Sequence, residues 1–172
     1  MPDSSSETQV RFSQSPRAKE YFERLQRSGQ DSEKPFSTAM EFYWICAMLG
    51  IRWSMPSSPK ESKAILAVSE LTESLRTYKD SFLGLWFYNH CADSGIEGRE
   101  EVSSSMTRVL SGAAGASIPS RIINSMNDFS YGGFLYIKNQ IGDLYAGADF
   151  LVALAKLFEE EPSADIRALS RQ

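Results

Sequence analysis

The sequence predicts an all-α fold: a single compact domain of roughly six to eight helices over residues 15–161, with a disordered segment, 1–14, before it and a flexible tail, 162–172, after it. Three observations predict it. Apolar residues recur at helical spacing in one segment after another. Pro, Gly and Ser cluster between those segments. Residues suited to helix ends stand where the segments begin and stop. A chain of 172 residues can bury a real core, and its composition, 42% hydrophobic and 23% charged, is ordinary for a globular protein.

The N-terminal residues 1–14 are polar and Ser-rich and are expected to be mostly disordered, with little weight given to a short strand at "QVRF". A first helix should start near Ser15, because Pro16 suits the first helical position, where a missing N–H costs nothing. Ala18, Tyr21, Phe22 and Leu25 give it an apolar face, and Gly29 should stop it. A second helix is expected over residues 37–49, capped by Ser37 and ended by Gly50. Its sequence is apolar nearly all round. Glu41 shares one side with Trp44 and Met48, and Phe36, Ala39, Tyr43, Cys46 and Ala47 take the other. A helix of that kind is buried on most sides.

Residues 54–62 read as a loop, with Pro56 and Pro59 among serines. Residues 62–71 do not alternate cleanly, and the balance favours helix. Asp80 is expected to cap a helix carrying Phe82, Leu85, Trp86 and Tyr88, ended by "DSGIEG". Residues 99–110 place Val102, Met106, Val109 and Leu110 at helical spacing, with Glu100 and Glu101 in the first turn and Arg108 near the end, as the helix dipole favours. "SGAAGAS" is a connector. Ile122, Ile123, Met126 and Phe129 mark another helix, and "SYGG" should separate it from a short one bearing Phe134, Leu135, Ile137 and Ile141; Gly132 and Gly133, at a bend or inside a helix, are expected to let backbones pack closely. The last helix carries a stripe of Phe150, Leu151, Leu154, Ala155 and Phe158, and "EEEP" ends it.

Catalytic templates lack parts. His90 is the single histidine, and its neighbour Cys91 would point about 100° away on a helix. "SGAAGAS" has no Lys-Ser/Thr after it, so it is not a phosphate-binding P-loop. The glutamates at 100–101 and 159–161 read as solvated faces. Cys46 and Cys91 lack Cys-x-x-Cys spacing and read as buried, reduced thiols. No catalytic residue, metal site or cofactor is expected, and an enzyme with a cryptic site would have to draw on His90 and Cys91. The start of the chain has no signal-peptide character, and no apolar run reaches the roughly 20 residues of a membrane span, so the expected location is cytoplasmic with no membrane association.

Binding surfaces are better marked. Net charge is −4, which argues against attraction to DNA over the whole surface. The first helix, however, carries Arg17, Lys19, Arg24 and Arg27, with Arg11 before it, against Glu20 and Glu23, and this basic face is a candidate for nucleic-acid contact. Trp44 and Met48 on the Glu41 side of the second helix form the favoured candidate for binding a partner protein, since Trp and Met are enriched at interfaces.

Two segments together resemble a known group. "KPFSTAMEFYWICAMLGI", through Pro35, Phe36, Phe42, Ala47, Leu49 and Gly50, resembles a segment of small proteins encoded beside bacterial DNA-phosphorothioation (Dnd) and related anti-phage systems. "NDFSYGGFLYI", through Tyr131, Gly132, Gly133 and Phe134, resembles a C-terminal segment of the same group, with altered spacing. Residues 54–117 lie outside the resemblance, and no catalytic residue carries over. The resemblance implies an accessory subunit that binds other subunits within a DNA-modification or restriction assembly.

Overall fold

The computed structural model describes residues 11–28, 34–67, 73–110, 120–143 and 147–169. In chain order these form β1 (Arg11–Gln14), α1 (Pro16–Ser28), α2 (Ala39–Arg52), β2 (Lys63–Ala67), α3 (Glu73–Asp93), α4 (Arg99–Leu110), α5 (Ser120–Ile141), α6 (Gly147–Glu159) and α7 (Ala164–Leu169). The fold is all-α, with one antiparallel two-stranded sheet as its only strand pairing among the described residues.

Helix α2 is the centre. Tyr43, Trp44, Ala47 and Ile51 pack on one side against Phe12, Trp86, Ile122, Met126 and Phe129. Phe42, Cys46 and Leu49 pack on the other against Tyr21, Leu25, Phe134, Ile137, Phe150 and Leu154. Two core clusters thus flank one helix, which explains a sequence apolar nearly all round.

The start of α2 is fixed by Thr38, not by Ser37. The Thr38 side chain accepts from Glu41 N at 3.2 Å, and the Glu41 carboxylate accepts from Thr38 N at 3.3 Å and from Ser37 N at 2.6 Å. This capping box satisfies N–H groups that have no partner inside the helix. Replacing Thr38 by Ala should cost about 1 kcal/mol, in the range measured for lost caps, and a urea titration would show a lower midpoint with unchanged slope.

Gly50, expected to end α2, lies inside it, and Gly132 and Gly133, expected at a bend or inside a helix as close-packing positions, lie inside α5. All three are buried at backbone-to-backbone approaches. A Cβ on Gly50 would stand 2.0 Å from Phe129 O, one on Gly133 would stand 1.9 Å from Cys46 O, and one on Gly132 would stand 1.6 Å from Met55 O. Glycine here serves close approach rather than termination. One uninterrupted α5 therefore replaces the two expected helices.

Strands replace other expectations. Arg11–Gln14, assigned to the disordered N-terminus, pairs with Lys63–Ala67, for which helix was favoured. Phe12 is fully buried and seats β1 on the core. The outer edge of β1 is held by the side chain of Asn127: Ser13 N donates to its Oδ1 at 3.0 Å, and its Nδ2 donates to Arg11 O at 3.2 Å. In α1, which starts where expected, Ala18 N donates to the Ser15 hydroxyl at 3.1 Å, so Ser15 caps the helix. Helix α3 begins at Glu73, so Asp80 lies within it and is not its cap. Residues 164–169, expected to be tail, form α7. Gly29, residues 1–10 and "SGAAGAS" lie outside the described residues.

Candidate functional site

The partner-binding face predicted on Glu41, Trp44 and Met48 is not an open surface. Trp44 is 4% exposed and packs against Phe12, with ring centroids 5.7 Å apart. Met48 is half-buried against the same cluster. The Glu41 carboxylate is engaged in the capping box. The sequence placed these residues on one side of a helix correctly, but it did not show that β1, α3 and α5 cover that side.

The basic face of α1 is partly paired along the helix, with Glu23 shared by two cations. Lys19 stands 3.8 Å from Glu23, Arg27 3.4 Å from Glu23, and Arg24 2.5 Å from Glu20, each pair at i,i+4 spacing and solvent-exposed. Such pairs contribute little to stability, but they offset one another's field. Arg17 differs. It lines a groove of about 1060 Å³ between the first turn of α1, the loop after α2 and the middle of α5, together with Lys60, Glu61, Tyr131, Leu135 and Lys138. A smaller polar pocket of about 270 Å³ adjoins it, sharing Ser15, Ser58, Pro59 and Tyr131 and reaching Gln14, Asn127 and Asp128. Gln14 Oε1 is buried there with no hydrogen-bond partner among the described residues.

The groups considered for chemistry have structural partners. His90 stacks on Trp86, with ring centroids 5.1 Å apart and planes 9° from parallel. Cys46 and Cys91 are both free and buried. Burial pushes the Cys46 thiol far up, so it stays protonated and a poor nucleophile. Burial, with a smaller contribution from Asp128, likewise raises Tyr43 well above the usual phenol range. Its hydroxyl donates to Asn127 Oδ1 at 2.8 Å. Among the described residues no group of three or more His, Cys, Asp or Glu is placed to hold a metal ion, and no helix is long and apolar enough to cross a membrane.

An apolar surface does occur, on α6. Its inward face buries Gly147, Phe150, Leu154 and Leu157. Ala148, Leu151, Val152 and Ala155 are exposed, and their i, i+3, i+4, i+7 spacing gathers them into a single stripe on the opposite face. Leu151 is 44% and Val152 61% exposed. A cleft of about 300 Å³ runs beside this stripe, lined by Val152, Ala153, Ile141, Asp149 and Lys156. The predicted stripe of Phe150, Leu151, Leu154, Ala155 and Phe158 is thereby divided, Leu151 and Ala155 facing outward. The second face was legible in the residue spacing but was merged with the first. Compared with known proteins, the chain matches no family model, no curated protein and no solved structure.

Proposed function

We propose that the chain is a non-catalytic accessory subunit that binds a partner protein through the outer face of α6, within an anti-phage or DNA-modification assembly of the kind its resemblance implies. The observation that carries this reading is the exposed Ala148–Leu151–Val152–Ala155 stripe on a helix whose other face already fills the core. Single exposed aliphatics are ordinary, but an aligned group beside a cleft is the form an interface takes. Asp149 and Lys156 flank it and supply the polar rim that surrounds such anchors. Burial of Leu151 and Val152 by the partner would be the source of affinity.

Affinity purification from the native host compares the wild type with Leu151→Asp/Val152→Asp and with the exposed α4 control Thr107→Asp. Loss of anchors worth about 2 kcal/mol weakens a complex roughly thirtyfold. The α6 double variant is therefore expected to lose co-purifying subunits while keeping the wild-type melting temperature, and the control is expected to retain them. Undiminished recovery with the double variant would rule out this face.

A further inference from the structure

We infer that the groove between α1, the loop after α2 and α5 binds a phosphate-bearing ligand of the nucleotide class. The chain carries a net charge of −4, yet Arg17, Lys60 and Lys138 converge on this groove, and Glu61 is the one carboxylate among its lining residues. Lys138 is ion-paired with Asp143 and lies 5.3 Å from the centre of the Tyr21 ring, so Arg17 and Lys60 are the cations the groove chiefly offers to an anion. Local electrostatics points the same way. Helix α1 has no acidic residue in its first turn, and Arg17 stands in that turn at the positive end of the helix dipole. Cations there oppose the dipole, and an anion seated against the turn would relieve both.

The rest of the groove suits the non-phosphate part of such a ligand. Tyr131 is partly exposed in the wall, its ring stacked on Phe134 with centroids 6.2 Å apart, and Leu135 lies one helical turn beyond. A fixed aromatic ring beside cations is the arrangement on which bases stack while their phosphates are held. The adjoining polar pocket, lined by Ser13, Asn124, Asn127 and Asp128, offers polar side chains to a base edge or a sugar hydroxyl. The site is distinct from the outer α6 stripe, so it stands or falls separately from the protein-binding reading.

Fluorescence anisotropy tests it with a labelled single-stranded oligonucleotide at low salt, using a mononucleotide and inorganic phosphate as competitors. The wild-type chain is expected to bind saturably, with affinity falling as salt rises. Arg17→Glu/Lys60→Glu is expected to weaken binding at least about tenfold through lost phosphate contacts, while Arg27→Glu, outside the groove, leaves it nearly unchanged. All variants should melt at the wild-type temperature, because each altered side chain is exposed. Complete displacement by the mononucleotide assigns the site to a free nucleotide, and displacement only by longer strands assigns it to a nucleic-acid strand. Absence of saturable binding at low salt, or equal weakening by Arg27→Glu, would overturn the site.

Discussion

Gly133→Ala is expected to lower stability by at least about 3 kcal/mol, the upper end of ordinary overpacking, and so to drop the melting temperature by roughly 6–12 °C or prevent folding. The reason is the kind of neighbour the new methyl would meet. Its Cβ would lie 1.9 Å from Cys46 O and 2.9 Å from Gly50 N, both backbone atoms of α2. A flexible side chain could turn aside, but a helix backbone can yield only by moving the whole helix. Separating α2 from α5 would loosen both core clusters at once, since α2 lies between them. Gly50→Ala meets Phe129 O at 2.0 Å and should behave alike. Gly84→Ala is the control. Nothing lies within 4 Å of its would-be Cβ, and it sits inside α3. Alanine there should be neutral or stabilising by up to about 1 kcal/mol, through helix propensity. Differential scanning calorimetry of the three variants checks the contrast.

Trp44→Glu is expected to unfold the domain. Truncation to Ala already removes a large side chain from a closed core, at about 3–5 kcal/mol. Glutamate adds a carboxylate among the apolar side chains of that core, and a charge buried in that setting is more costly still. Marginal stability of about 5–15 kcal/mol leaves little margin for such a change. Far-UV circular dichroism and tryptophan fluorescence would show loss of helix and exposure of the remaining indoles. A folded Trp44→Glu variant would mean that Trp44 does not occupy the core.

Trp44 and the glycines also show what the sequence could reveal and what it could not. The apolar periodicity of α1 is readable because the helix presents its pattern within a few turns, and its start near Ser15 follows from the local signal of Pro16. Enclosure of Trp44 was not readable. It depends on Phe12, which arrives from a strand paired with residues 63–67, far along the chain. Short apolar runs such as residues 63–67 do not distinguish strand from helix, and their partner decides. Gly50 carries the usual mark of a helix end, and only the facing backbone explains its place in a helix interior. Gly132 and Gly133, flanked by aromatics, are legible as close-packing positions though not as part of one uninterrupted helix. At the crossing of α2 and α5, Phe42, Ala47, Leu49 and Phe134 are core residues, and Gly50 and Gly133 let the two helix backbones meet.

Of the candidate sites, the basic residues of α1 were recognised individually. What the sequence does not show is that Lys19, Arg24 and Arg27 pair at i,i+4 with Glu20 and Glu23, Glu23 being shared by two of them, while tertiary structure brings Arg17 beside Lys60 and Lys138. On α6, the outward stripe was present in the spacing, but assigning which of two apolar faces meets the core requires knowing where Phe36 and Tyr21 stand. Both pack against Phe150, with ring centroids 6.0 Å and 6.3 Å apart.

Native-state amide hydrogen exchange on the isolated chain tests most directly whether α2 is sheltered by its own polypeptide. Amides of α2 from Phe42 to Ile51 and of α5 from Met126 to Ile137 should exchange slowest and together, at the rate set by global unfolding. Rapid exchange across α2 in the isolated chain, slowed only when a second protein is bound, would contradict the account and return the interface to that helix.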